Sequence, residues 1–243
     1  MSRFFLQASQ IAGDTVTITG SDAGHISRVL RMMPGAQITV CDMQKQEYLC
    51  ELVQVDATRV EAKILSVRQG NTEPPFTAFL YQALPKGDKM ESVIQKSVES
   101  GVYAVVPMET ERCVVRLDEK GRAHKQQRWQ KIAESAAKQC GRGRIPSVAE
   151  PVSFVTALTQ ASQADCKLFC YEGDGTLPLG KQLPEVPGTI AILIGPEGGF
   201  SQAEVRQAQD AGFVPVGLGN RILRTETAAP FVLACLTMRY ELS

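Results

Sequence analysis

The chain has 243 residues, 44% of them hydrophobic, with 26 basic and 26 acidic side chains that cancel to a net charge of zero. That length suits one large domain, or a small one followed by a larger, and the apolar content is ample for packed cores. A neutral sum excludes a globally basic nucleic-acid binder, and without a cleavable leader pattern or an apolar run of about 18 residues the protein is expected to be soluble and cytoplasmic, with no membrane partner.

Residues 1–70 carry short β-patterned runs, Gln37 to Cys41, Tyr48 to Val55 and Arg59 to Val67, broken by turn residues. This suits a small barrel. Within it His25, Arg28 and Arg31 recur at three-residue spacing, so on a short helix they share one face while Val29 and Leu30 point inward. The segment Gln69 to Pro75 cannot continue a strand, because it holds Gly, Asn and paired Pro. It places a linker at residues 71–75 and a second domain at residues 76–243.

After the linker, strands at Phe76 to Leu84, Val102 to Pro107, Lys167 to Tyr171, Thr189 to Ile194 and Phe213 to Leu218 alternate with helical patterns. That alternation predicts an α/β domain with a largely parallel sheet. Lys86 and Lys89 flank Gly87-Asp88 at the end of the first of these strands, as RNA contacts or as part of a helix start. Residues 120–144 hold eight basic residues against one acid, a local charge of +7. Phosphate binding depends on such a local field rather than on the sum over the chain. Arg142 and Arg144, bracketing Gly143 in an expected loop, are the best placed of these to present guanidinium groups to RNA. His124, inside the basic helix, is expected to be exposed.

Seven cysteines without a C-x-x-C pair, and two histidines in all, argue against a disulfide framework or a zinc site, so no metal is expected. Cys166 and Cys170 read as small buried thiols on one strand.

Two stretches near the C-terminus carry most of the chemistry. Thr189 to Ile194 is a continuous apolar, β-branched run, as in a strand buried on both faces. Gly195, Gly198 and Gly199 follow, allowing close approach of a ligand to the backbone. A Ser201-x-x-Glu204 capping box then predicts a helix from about residue 202. The second stretch repeats this grammar: a strand, the turn Gly217-Leu218-Gly219-Asn220, apolar contacts from Ile222 and Leu223, and a helix capped by Thr225. Pro230 argues for a cap closer to Thr227. From Ala228 to Leu242 the apolar residues are too numerous for one stripe, which predicts a homodimer. Such turns beyond buried parallel strands are where open α/β sheets bind ligands. The third Gly of a dinucleotide fingerprint is replaced by Ile222, and neither a P-loop nor a Gly-x-Ser-x-Gly elbow occurs, so NAD, ATP and hydrolase readings are unsupported.

GPEGGFSQAE at residues 195–204 and LGNRILRTETA at residues 218–228 resemble the cofactor-binding segments of the SPOUT-class RNA methyltransferases, and among them the ribosomal RNA small subunit methyltransferase E family. HISRVLRMMPG at 25–35, PKGDKMESVIQKSVESGV at 85–102, ERCV at 111–114 and RWQKIAESAAKQCGRGRIP at 128–146 resemble its other blocks, in the same order. The resemblance implies a C-terminal trefoil-knotted α/β domain, a small N-terminal PUA-like β-barrel, and S-adenosylmethionine-dependent methylation of N3 of a uridine in 16S rRNA on the 30S subunit. It implies a cofactor held by Leu193, Ile194, Gly195, Pro196, Glu197, Gly198 and Gly199 with Leu218, Gly219, Asn220, Ile222, Leu223, Arg224 and Thr225. It also makes the His25, Arg28, Arg31 face and Arg112 RNA contacts. Two departures are Lys138, where the family commonly has Glu, and Pro230, where a small helix-compatible residue is usual.

For that chemistry the protein needs to place uracil N3 in line with an activated methyl group and to manage one proton. Arg224 is the first candidate to stabilise charge on the uracil carbonyls, and Glu226 or Glu197 are candidates to take the proton, although either carboxylate can equally hold a loop. Because N3 is a pairing atom, the target has to be unpaired or extruded. Replacing Gly198 with a β-branched residue is expected to abolish cofactor affinity and leave RNA affinity nearly intact, because the Cβ intrudes on the turn. A ribose 2′-O-methyltransferase and a noncatalytic RNA-binding or assembly protein remain as alternatives.

Overall fold

A computed structural model describes residues 2–44 and 46–243, which form two compact units, Met1–Glu73 with Ala137–Ile145, and Pro74–Ala136 with Pro146–Ser243. The two units meet in sequence at Glu73 and Pro74, within the expected linker at 71–75, whereas residues 137–145 group with the first unit, which no local pattern signals.

In the first unit, period-two alternation builds a six-stranded curled sheet from β1 (Arg3–Phe5), β2 (Ile11–Ala12), β3 (Thr15–Thr19), β4 (Gln37–Cys41), β5 (Gln46–Val55) and β6 (Arg59–Gln69), in the order β1-β4-β5-β6-β3-β2. Pairing is antiparallel except for β1 with β4. Val16, Ile18, Ile38, Val40, Cys50, Leu52, Val60 and Ala62 all point to one buried core, as the strand period requires. A short helix α1 (Gly20–Gly24) runs into a π-helical turn at His25–Val29. Ile26 is the residue that turn buries; Val29 is 66% and Leu30 39% exposed, so the expected inward pair points outward. The wider π-turn, with Leu30 N–H donating to the His25 carbonyl, adds one residue to the turn and so departs from regular helical spacing.

Buried charge fastens this unit. Glu47, 3% exposed, accepts from Arg3 at 2.6 Å and from Arg68 at 2.8 Å. Arg142 is 5% exposed and donates through two nitrogens to Glu73, at 2.9 and 2.6 Å, while its carbonyl accepts from Arg3. Lys138 pairs with Asp22 at 3.0 Å. Residues 137–145 are thus tied to the first unit by side chains distant in sequence.

In the second unit, β7 (Thr77–Ala83), β8 (Ala104–Glu109), β9 (Ser147–Val148), β10 (Val152–Ser153), β11 (Cys166–Cys170), β12 (Leu177–Pro178), β13 (Thr189–Ile194) and β14 (Val214–Gly217) form a wholly parallel sheet, ordered β10-β8-β7-β13-β11-β14-β12 with β9 on β8. The helices are α2 (Lys89–Glu99), α3 (Glu119–Cys140, its last turn in the first unit), α4 (Phe154–Gln160), α5 (Gln202–Asp210) and α6 (Thr225–Tyr240). β13 lies between β7 and β11, and its residues 190–194 are at most 2% exposed, as a strand covered on both faces should be. β14 pairs beyond β11, yet α6 returns across β11 to pack on α2, β13 and β7.

Candidate functional site

The two glycine turns leave the C-terminal ends of β13 and β14. Ser201 caps α5 as expected, with its hydroxyl accepting from the Glu204 N–H and Glu204 accepting from the Ser201 N–H. Glu204 is also 6% exposed and accepts from the Glu111 N–H at 2.7 Å, so the loop after β8 is anchored to the same helix start. From that loop Arg112 donates to the Gly198 carbonyl at 2.9 Å. Arg112, expected to contact RNA, is thus engaged in shaping the turn.

The glycines divide by role. Gly199 has φ +66° and Gly219 φ +104°, and a Cβ on either would point into open space, which leaves two cradles, the first at half-buried and the second at exposed backbone. Gly195 is close-packed: a Cβ there would lie 2.9 Å from the ring of Phe200. Gly198 has neither constraint, since its φ is ordinary and a Cβ would only touch Arg112 at 3.4 Å. The expected intrusion at Gly198 therefore belongs to Gly195. Leu193, Ile194 and Pro196 are buried beneath the turn, while Leu218 and Leu223 are half-buried and Gly219, Asn220 and Arg224 are exposed.

Thr225 begins α6 but does not cap it; Arg224 occupies the cap position without a side-chain bond, three residues before the expected cap at Thr227. The Thr225 hydroxyl instead donates to the Gly195 carbonyl at 2.7 Å and accepts from Gln82 at 2.9 Å. This tether joins α6, the end of β13 and the end of β7 in a buried setting, and it overrides the local preference that Pro230 expresses. Pro230 consequently sits inside the helix, its missing N–H leaving the Glu226 carbonyl without that bond. Gln82, 0% exposed, escaped the sequence reading; a single amide at the end of an apolar strand was the available sign. Ile222 is 81% exposed rather than packed.

Charge gathers at the same edge. Glu197 accepts from the Lys86 backbone N–H at 3.2 and 3.4 Å and from Lys89 Nζ at 2.8 Å. Lys89 Nζ also lies 3.6 Å from Glu226 Oε2. The hydrogen bond to Glu197 raises Lys89 above its usual value, Glu226 adding to this and Arg224 opposing it. Burial pushes Glu197 up, but the bonds from Lys89 and from backbone N–H groups outweigh it and hold the carboxyl below its usual range. Glu197 is therefore an occupied, weakened base that holds a loop. Lys86 is exposed and only its backbone is engaged here. Burial pushes the Cys170 thiol, at the end of β11, up to about 12, with Cys235 adding to it, so it is no thiolate nucleophile at neutral pH.

The basic segment is largely answered by acids. Arg122 pairs with Glu109, Arg128 with Glu91, Lys138 with Asp22 and Arg142 with Glu73, which takes up four of its eight positive charges. Arg142 is buried in its pair and is not presented to solvent, contrary to expectation; Arg144 is half-buried. His124 is exposed. In the first unit His25, Arg28 and Arg31 are all exposed, Arg31 with φ +50°.

Known proteins match the chain along its length. The RNA methyltransferase domain matches residues 72–237 and the RNA methyltransferase PUA domain residues 18–65. The ribosomal RNA small subunit methyltransferase E of Bacillus subtilis (strain 168) is 36% identical over 252 aligned positions, covering 100% of this chain and 98% of that protein. The crystal structure of a ribosomal RNA small subunit methyltransferase E from Neisseria gonorrhoeae bound to S-adenosyl methionine is 35% identical, with a TM-score of 0.88 over 99% of this chain and 98% of that one. A putative methyltransferase from Legionella pneumophila, in complex with bound SAM, is 36% identical, with a TM-score of 0.86 over 97% and 96% of the two chains.

Proposed function

The chain belongs to the ribosomal RNA small subunit methyltransferase E family, and on that premise we propose that it methylates N3 of a uridine in 16S rRNA, using S-adenosylmethionine, on the 30S subunit in the cytoplasm. The observation that carries the cofactor assignment is the pair of cradles at Gly199 and Gly219, open where any side chain would fill them and backed by buried strand ends. Residues 193–199 and 218–225 would hold the cofactor, whose sulfonium supplies an already activated methyl group. Gln82, Thr225 and Arg112 keep the two turns in register. Arg224, exposed beside the second turn, is the candidate to stabilise charge on the uracil carbonyls. The return of α6 across β11 supports the knotted path implied by the resemblance.

Radiolabelled methyl transfer to unmethylated 30S particles, followed by nucleoside digestion, tests this reading. It is expected to yield 3-methyluridine; a 2′-O-methyl product or no incorporation overturns it.

Recognition of the RNA is placed on His25, Arg28 and Arg31, an exposed, basic face of the first unit. Replacing Arg28 and Arg31 together by alanine is expected to weaken RNA binding about tenfold or more at moderate salt and to flatten the dependence of log K on log salt by about two phosphate contacts. An unchanged slope in filter binding removes this face from the interface.

On α6, Thr227, Phe231, Ala234 and Met238 form one exposed stripe, continued by Leu242, which is 70% exposed. The stripe supports a homodimer, since one helix face lacks an intrachain cover. Charging it with Phe231→Glu and Met238→Glu is expected to give monomers by analytical ultracentrifugation, and a dimer that persists places the interface elsewhere.

A further inference from the structure

The cluster at the ends of β7 and β13 holds two carboxylates around one ammonium, and they are not equivalent. Glu197 has both oxygens taken by the Lys86 N–H, and one also by Lys89. Among the described residues Glu226 Oε2 has no hydrogen-bond partner, and it is out of contact with water; Lys89 Nζ lies 3.6 Å from it. A buried acceptor left vacant is rare in a folded protein and marks a place where a donor is to arrive. The Glu226 side chain is 21% exposed and that of Lys89 31% exposed, so the pair is reachable, and the broad carboxylate torsion lets either oxygen meet an incoming group. The backbone beneath is fixed, because Thr225, one residue earlier, is tethered to Gly195 and Gln82.

We infer that Glu226 and Lys89 read and deprotonate the uracil edge: Glu226 accepts the N3–H and takes its proton, while Lys89 donates to the adjoining carbonyl oxygen. This rests on the N3-uridine reading above. Uracil presents N3–H and a carbonyl side by side, and an acceptor and a donor 3.6 Å apart meet that pattern. Cytosine reverses it, setting a ring lone pair against the carboxylate and an amino group against the ammonium, so the same pair rejects cytidine. In the step itself the N3–H bond breaks and its proton passes to the Glu226 carboxylate. The electron pair left on N3 forms the new bond to the methyl carbon as the carbon–sulfur bond breaks and its electrons return to sulfur. Glu226 then releases the proton to solvent. The charged groups that act on Lys89 besides Glu226 are Glu197, which holds it, and Arg224, two residues before Glu226. Glu197 stays a positioning residue throughout.

The test compares Glu226→Gln with the unaltered protein by calorimetric binding of S-adenosylmethionine and by single-turnover methylation of unmethylated 30S particles across pH 7 to 9. We expect cofactor affinity within about threefold of the unaltered protein and a rate about 10²-fold to 10⁴-fold lower. That residual rate should climb about tenfold per pH unit, because hydroxide must now remove the proton, whereas the unaltered protein should level off. Glu226→Asp, which keeps a carboxylate, should retain the levelled profile at reduced rate, and it decides the matter if the glutamine variant does not fold. A near-normal rate, a slow rate with an unchanged pH profile, or lost cofactor binding in E226Q each overturns the inference while leaving the proposed function standing. Failure of the unaltered protein to make 3-methyluridine overturns both.

Discussion

Gly195→Val is expected to lose S-adenosylmethionine affinity by about 100-fold, close to 3 kcal/mol at 1.4 kcal/mol per decade. The cause is steric. A Cβ at this position lies 2.9 and 3.1 Å from Phe200 ring carbons and 3.5 Å from the Gly199 Cα. Phe200 has no room to withdraw: it is 3% exposed and packed on Phe169 at 4.7 Å and on Phe154 at 5.8 Å between ring centroids. Overpacking of this kind costs about 1 to 3 kcal/mol and displaces backbone. Here the backbone that moves carries the carbonyl accepting from Thr225, so the two turns lose their mutual alignment. Gly198→Ala is the control, expected to stay within about threefold, since its added Cβ makes only a 3.4 Å contact. Titration calorimetry measures both, and equal losses at the two positions would contradict the division of roles among these glycines.

Glu47→Ala is expected to destabilise the N-terminal unit by about 3 to 5 kcal/mol, the range for removing one partner of a buried ion pair. The carboxylate is 3% exposed and its main partner Arg3 is 13% exposed, so deletion leaves a guanidinium largely out of water beside the fully buried Cys41. Arg68, 75% exposed, recovers solvent and contributes little to the loss. The pair also sets an acid limit. Burial pushes Glu47 up, but hydrogen bonds from Arg3 and Arg68 outweigh it and hold the group below its ordinary 4.5. A group whose folded value is depressed stabilises the fold above its unfolded value and loses that contribution as pH falls. Stability should therefore be level above about pH 4.5 and decline below it, and the decline should be shallower in the variant. Urea denaturation against pH measures this, and a loss under 1 kcal/mol would show that the buried pair is nearly neutral in net effect.

The readings that survived are those resting on short-range rules. The β13 run, the Ser201–Glu204 capping box and the strand at Gln37–Cys41 were legible because burial on both faces, helix capping and period-two alternation act within a few residues. The order of the family blocks carried the class of protein for the same reason, being a linear property of the chain.

What failed or was missed depends on partners far apart in sequence. Arg142 reads as a loop cation, and only the fold brings Glu73 to it; Lys89 reads as an RNA contact or as part of a helix start, and only the fold sets Glu197 and Glu226 around it. Thr225 read as a cap because a hydroxyl before an apolar run satisfies helix N–H groups, but the carbonyl of Gly195 and the amide of Gln82 lie closer in space. The residues alone determined the main strands and the place of the glycine turns, while the assignment of residues 137–145 to the first unit was decided by tertiary structure. Which charges are answered and which carboxylate keeps a vacant oxygen was decided by tertiary structure, because hydrogen bonds and ion pairs act over about 3 Å in space, whatever the distance along the chain.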